Sequence, residues 1–325
     1  MSRICSLQTV EPVGRPHNPP AASNISKGVK TLSGAVAPLP PGPATSPPIG
    51  SFANCGLDGL RSGLRGVAAA LVTGLTRELN LTPKPGLVDQ WDNGSHADLS
   101  YGLMRGSIAL LDGCFAEYCA ALESGATVQE LRAIGRAAEL RMFGCFGTNT
   151  HRGAIFLGGV LLAAVHRAPG EGEMAVRRAL GAVARELFAE QLPQATKGAR
   201  VRAGYGVGGV VAEVLNGLPS VFEAGLPALR HGRALGLGAD ETLLLAMARL
   251  MQTVEDTTAL RRCGPRGLER LKVDGARLET LLLDGANPMP FLLRTNRVYR
   301  SWHLTMGGVA DLLGVCAGWD RYGSA

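Results

Sequence analysis

From about Asp58 onward, the apolar residues of this chain recur at three- and four-residue spacing and nowhere alternate over a useful length. Leu60, Leu64, Ala68, Leu71 and Leu75 set the first such stripe, and Leu103, Ile108, Leu111, Phe115 and Tyr118 set the second. That period puts the apolar side chains on one face of a helix, whereas a strand would need alternation. Thr127 and Glu130 form a capping-box pair ahead of Val128, Leu131 and Ile134, a signature of a helix start. Further helices are expected over Ala154–His166, Glu173–Phe188, Gly209–Leu215, Glu241–Leu260 and Val309–Ala317. Asp240 is the expected cap of the Glu241 helix, and Gly264-Pro265 its expected stop. With 46% hydrophobic but only 5% aromatic residues, the chain suits packed helices better than a sandwich or barrel. The expectation is an all-α fold: a single multi-helix domain over 51–325, with functional loops between buried helices.

Residues 1–50 hold ten of the nineteen prolines and no Phe, Tyr or Trp. Such a segment buries too little apolar surface to offset its ordering entropy, so a disordered Pro-rich leader is expected there. The longest apolar run, Ala154 to Val165, is shorter than the roughly 18 residues that span a bilayer. No compact apolar segment resembling a secretory signal opens the chain. Its seven cysteines (Cys5, Cys55, Cys114, Cys119, Cys145, Cys263 and Cys316) make no CxxC pair, as expected of reduced thiols in a cytoplasmic protein. A net charge of +6 suits an anionic ligand but is too mild and too scattered for nucleic acid.

Between the first two stripes lies TPKPGLVDQWDNGSHAD (82–98), with Lys84, Asp89, Asp92, Asn93, Ser95, His96 and Asp98 in seventeen residues. Two prolines and two glycines make it a shaped loop, the setting in which binding chemistry concentrates. Gly147–Gly153, carrying Asn149, His151 and Arg152, leads straight into the most apolar helix. A helix N-terminus of this kind suits phosphate. Lys197, Arg200 and Arg202 precede Gly204, Gly206 and Gly209, which match GxGxxG. No buried strand precedes them and no βαβ alternation surrounds them, so a basic anion-binding loop is expected and a dinucleotide fold is not. Glu255 and Asp256 lie off the core stripe of the Glu241 helix, with Gln252 and Asp256 one turn apart, and Asp311 follows a Gly-Gly turn. Carboxylates beside phosphate-suited turns point to Mg²⁺. Nothing matches a P-loop, a serine-hydrolase elbow or a zincin helix.

Together the segments TPKPGLVDQWDNGSHAD (82–98), NTHRGAIF (149–156), RAGYGVGGVVAEVLNGLPSV (202–221), VEDTTALRRCG (254–264) and GGVADLL (307–313) resemble the triphosphoribosyl-dephospho-CoA synthase family, over about residues 65 to 318. The resemblance implies an all-α transferase. It joins the triphosphoribosyl group of ATP to the 2′-hydroxyl of 3′-dephospho-CoA and releases adenine. The product would pass to a downstream transferase acting on the acyl carrier protein of malonate decarboxylase or citrate lyase. A chain without a second transferase domain leans towards malonate decarboxylase, and a homo-oligomer is compatible with all of this.

On that resemblance Asp98 or Asp89 is expected to act as base and charge stabiliser, with His96 orienting it. Lys84, Arg152, Lys197 and Arg202 are expected on phosphates, and Asn93, Ser95, Asn149 and His151 on the substrate. Glu213 is expected behind them, and Glu255, Asp256 and Asp311 on Mg²⁺. Two segments depart from the family pattern. Phe146-Gly147-Thr148 stands where Gly-Gly-Val is usual, and Thr305-Met306-Gly307-Gly308-Val309-Ala310-Asp311 where Ser-Pro-Gly-Gly-Ser-Ala-Asp is usual. These leave open a paralogue that uses the same ATP chemistry on another acceptor or on water, and a nucleotide-binding protein without turnover.

Overall fold

The computed structural model describes residues 63–148, 150–189 and 196–323. Among them no strand occurs. The chain forms α1 (Leu64–Asn80), α2 (Tyr101–Glu123), α3 (Val128–Phe146), α4 (Arg152–Arg167), α5 (Glu173–Phe188), α6 (Lys197–Tyr205) and α7 (Gly209–Leu215). A π-helical turn (Ser220–Gly225) then leads into α8 (Leu226–Ala234), α9 (Ala239–Thr253), α10 (Thr257–Leu283), α11 (Met289–Trp302) and α12 (Gly307–Gly323). The all-α expectation holds. No described helix is long and apolar enough to cross a membrane. The expected leader, residues 1–50 with Cys5, lies outside the described residues, as does Cys55.

Two helices organise the core. In α4 every residue from Ala154 to Val165 except Phe156 is buried, and it packs against α1, α2, α3, α5 and α12. Gly158 and Gly159 leave room for the rings of Phe115 and Tyr118 of α2, with which any added methyl would collide. The second is α12, which makes the most extensive helix–helix contact of the fold with α1. Gly74 of α1 meets the backbone of Gly314 and Gly318 so closely that a Cβ there would overlap it. Small residues on both sides let the two backbones touch, and the α12 N-terminus is thereby fixed beside the loop that follows α1. Trp319 of α12 packs edge-on against Phe222 of the π-helical turn, with ring centroids 5.5 Å apart.

Some helix ends follow the sequence and others depart from it. The Thr127–Glu130 capping box is present, and α5 and α7 have the expected bounds. The helix expected over Glu241–Leu260 is divided. Gly238, not Asp240, is its N-cap, with Glu241 accepting the Gly238 N–H at 2.9 Å. It ends at Thr253, and Asp256 caps α10 by accepting the N–H groups of Thr258 and Ala259 at 2.8 and 2.9 Å. An Asp side chain offers the backbone a closed turn in place of helix, so the chain restarts there. Gly264-Pro265 kinks α10 without ending it. Gly264 takes a left-handed φ of 64° that glycine tolerates, and the helix resumes behind Pro265. Lys197–Arg202, expected as a loop, is the body of α6, capped by Thr196 and closed by Gly206 in the left-handed region. Its one buried residue, Val201, leaves no apolar period for a sequence reading to detect.

Candidate functional site

The loop between α1 and α2 is held shut by its own polar side chains. Asp89 is buried and accepts the N–H groups of Lys84 (2.8 Å), Trp91 (2.8 Å) and Asp92 (3.1 Å). Ser95 donates to the carbonyl of Leu304 at 2.6 Å or of Tyr299 at 3.1 Å. Asn296 of α11 accepts the Gly86 N–H and donates to Asp92, each at 2.9 Å. Asn93 is exposed, and its carbonyl accepts the His96 N–H at 3.2 Å. Lys84, expected to face phosphate, is instead fully buried. Its ammonium is paired with Glu78 at 2.7 Å and also donates to the Glu78 carbonyl. A buried ammonium needs this double satisfaction, and it ties the loop to the end of α1.

This clamping leaves His96 and Asp98 at the loop's outer end. A guanidinium can only donate, so Arg262, 3.4 Å from His96 Nδ1, makes that nitrogen an acceptor. His96 Nε2–H then donates to Thr305 Oγ1 at 2.9 Å. Burial, with Arg262 close by, lowers the His96 pKa to about 4, so the ring is neutral near pH 7. Arg262 also donates to the carbonyls of Ser95 (2.6 Å) and His303 (3.2 Å). Asp98 is exposed and accepts from Thr148 Oγ1 at 3.1 Å, which leaves carboxylate lone pairs uncommitted.

His151 has the opposite tautomer. The hydroxyl proton of Ser107 goes to the Met104 carbonyl at 2.9 Å, so Ser107 accepts from His151 Nδ1–H at 2.5 Å. The bare Nε2 is buried and has no partner among the described residues. Burial, with a smaller contribution from Lys84, holds this ring too at a pKa of about 4. An orphaned acceptor in the interior is costly unless a ligand or water donates to it. Arg152, next in sequence, is exposed and paired with Glu139 at 3.2 Å. Asn149 lies outside the described residues.

Asp311 reaches from α12 to the start of α4, where Gly153 has no side chain to block it and the Ala154 N–H donates to it. Burial, with Glu78 and Asp256 nearby, pushes its pKa up to about 8. Asp256 is buried and raised by that burial. Its second oxygen accepts the Val309 N–H at 3.0 Å, and Gly308 donates to it as well, which fixes the Gly-Gly turn before α12. Glu255 accepts the Gly208 N–H at 2.8 Å. Among the described residues no three His, Cys, Asp or Glu side chains gather as a metal-binding group. Glu255 and Asp311 each keep oxygens uncommitted, whereas Asp256 spends both on backbone.

Around the α6–α7 junction, Arg202 is half-buried and lies alongside Gly209 and Thr257. Burial lowers its pKa, and it has no acidic partner among the described residues. Lys197 opens α6, also without a described acidic partner. Glu213 accepts from the Ser220 hydroxyl at 2.5 Å and from its N–H at 3.2 Å. Burial raises its pKa.

The structure thus brings His96, Asp98, His151, Asp256 and Asp311 towards one region formed by the loop, the α4 start and the α10 and α12 starts. Glu213 and Glu255 line one cavity beside α7, with Arg202 and Lys197 on the neighbouring α6, and Asp256, next to Glu255, belongs to the first group. Sequence reading assigned no role to Arg262, Glu78, Ser107 or Thr305. The Arg261-Arg262 pair inside VEDTTALRRCG was a signal for the first. The other three look like ordinary helix or turn residues until the fold brings them into contact.

Comparison with known proteins places nearly the whole described helical region in one family. The family model described as ATP:dephospho-CoA triphosphoribosyl transferase matches residues 64–322. A probable 2-(5″-triphosphoribosyl)-3′-dephosphocoenzyme-A synthase of Pseudomonas putida is 36% identical over 269 residues, covering 79% of this chain and 95% of that protein. A protein of the same name from Pseudomonas aeruginosa strain UCBPP-PA14 is 37% identical over 269 residues, covering 78% and 90%. No solved structure matches. The extent of the family match and the identity to these relatives establish that the chain belongs to the ATP:dephospho-CoA triphosphoribosyl transferase family.

Proposed function

We propose that this chain transfers the triphosphoribosyl group of ATP to the 2′-hydroxyl of 3′-dephospho-CoA. The C1″–N9 bond of ATP breaks and a C1″–O2′ bond forms. The 2′-hydroxyl proton passes to a base while its electron pair stays on the oxygen and forms the new bond; the C1″–N9 pair leaves with adenine, which takes up one proton. The product is the prosthetic-group precursor for the acyl carrier protein of malonate decarboxylase or citrate lyase. The observation that supports this reading is the Asp311 carboxyl, which lies near Asp256 and against Gly153, two residues from a buried His151 whose Nε2 has no partner among the described residues.

Loss of adenine builds positive charge at the ribose, which nearby carboxylates stabilise. Asp98 is the group suited to take the hydroxyl proton, because it is exposed and accepts a single hydrogen bond. Asp89 is spent on three backbone N–H groups and serves to shape the loop. Neutral His96, held by Thr305 and Arg262, orients the segment that carries Asp98. His151 Nε2 offers an acceptor for a substrate hydroxyl, while Arg202, Lys197 and Arg262 supply positive charge for phosphates. Mg²⁺ would enter bound to the triphosphate as part of the substrate, with Asp311 the carboxyl suited to meet it by giving up its proton; among the described residues no three-ligand group gathers. The triphosphate stays intact because the group attacked is the sugar carbon and not the γ-phosphorus.

Incubation with ATP, Mg²⁺ and 3′-dephospho-CoA tests the reading, with adenine followed by chromatography and the CoA product by mass. Adenine with a triphosphoribosylated CoA product supports it. Adenine without that product points to another acceptor or water, and nucleotide binding without adenine points to a protein without turnover.

A further inference from the structure

A cavity of about 220 Å³ opens beside the Val254–Asp256 elbow, between α7, the start of the π-helical turn and the end of α9. It is smaller than the roughly 300 Å³ at which pockets for whole ligands begin, so it suits a fragment of a nucleotide. Gly209, Ala212, Pro219 and Val254 give it apolar walls without bulky side chains. Its polar groups are mainly acceptors. Glu213 and Glu255 present carboxylates, and Thr253 brings the C-terminal end of α9, where unpaired carbonyls carry negative partial charge. Asn216, which closes α7, is exposed and has a carboxamide with no hydrogen bond among the described residues. Phosphate is repelled by such a lining, whereas a flat neutral ring bearing an amino donor is favoured. Asn pairs readily with the amino and ring nitrogens of adenine. Beyond the lining, the stem of Arg202 passes Gly209 and its guanidinium lies beside Gly198 without an acidic partner among the described residues, a cation on the α6 side of the pocket within reach of a phosphate tail.

We infer that this cavity is an adenine pocket, with Asn216 and the free oxygen of Glu255 reading the base edge and Arg202 taking the phosphate that trails from it. The inference rests on the proposed function for its substrates, both of which carry adenine. Asp256 lies one residue from the cavity wall, so a base seated here keeps its sugar near the α10 start.

Calorimetric titration of the full chain with ATP, with 3′-dephospho-CoA and with tripolyphosphate, each alone, tests it. Ala212→Leu fills the cavity and Asn216→Ala removes the exposed amide. Both variants should weaken one adenine nucleotide tenfold or more, leaving the other nucleotide and tripolyphosphate within twofold. The nucleotide that weakens identifies which substrate places its base there. Where ATP is that nucleotide, wild-type protein should bind inosine triphosphate at least tenfold more weakly, because a 6-oxo group meets acceptors in place of the amine. Unchanged affinity for both nucleotides in Asn216→Ala and Ala212→Leu overturns the pocket, as does a parallel loss of tripolyphosphate. Wild-type protein that binds both nucleotides yet releases no adenine sinks the proposed reaction and leaves the pocket standing.

Discussion

Gly153 lies directly against the Asp311 carboxylate, so close that any side chain at residue 153 would occupy the same space. The contact joins the start of α4 to the start of α12 and puts the Ala154 N–H on the carboxylate. Gly153→Ala should therefore push Asp311 out of place. Overpacking of this kind costs about 1–3 kcal/mol, and adenine release should fall tenfold or more while the circular-dichroism helix signal persists. Wild-type turnover in a folded Gly153→Ala protein would remove Asp311 from the site.

Asp311 also gives a pH signature. Its folded pKa of about 8 lies above the ordinary value of 3.8, so the folded chain holds a proton that the unfolded chain has lost. The stability tied to that proton is complete below about pH 4 and declines as pH rises to about 8. Asp311→Asn should flatten this decline, and melting temperature measured from pH 5 to 9 reads it. An equal slope in the variant would place the raised group elsewhere.

The two histidines act at the other end of the scale. His96 and His151 are held near 4, below the ordinary 6.5, so both must be neutral in the folded state. Their contribution is present above about pH 6.5 and is lost as pH falls through about 4. His151→Gln should lessen acid destabilisation between pH 6 and 4. Ser107→Ala should cost about 1–3 kcal/mol at neutral pH by stranding the Nδ1–H. Urea unfolding at pH 7 and pH 5 separates the two effects.

Asp89 and Asp98 are a matched pair for assigning base and scaffold. Asp98→Asn should lower kcat by about 10²–10⁴-fold with a melting temperature near that of the wild type. Asp89→Ala strands three N–H groups, and its main effect should be lower stability. A reversed pattern would exchange the two roles.

The α1–α12 contact sets the height at which Thr305–Asp311 meets the loop after α1. Gly74→Val should cost several kcal/mol by forcing the backbones of Gly314 and Gly318 away, with about 2–4 °C of melting temperature per kcal/mol. Gly113→Ala, at an open position of α2, is the control and should leave melting unchanged or raise it.

Much of this was legible in the chain because it is local. A capping box needs two residues three apart, so α3 could be placed from Thr127 and Glu130. Five polar segments in a fixed order carried the family resemblance that the comparisons bear out. The α6 helix was not legible, because its single buried side chain gives no period. Nor was the break at Val254–Asp256, where the apolar stripe runs on but the Asp256 side chain closes the backbone.

The sequence by itself determined that helices would form, roughly where most of them lie, and which residues are chemically able to act. Only the tertiary structure decided how they are used. Lys84 has the chemistry of a phosphate ligand and is consumed by Glu78; Asp89 and Asp98 are the same residue type, yet one is sealed by backbone N–H groups and the other is open. What a polar side chain can do depends on how many of its hydrogen-bonding positions the fold has filled, and the filling groups can lie 204 residues away, as Asn296 lies from Asp92. A spacing pattern can find such residues, but only the contacts made on folding decide which remain free to meet a substrate.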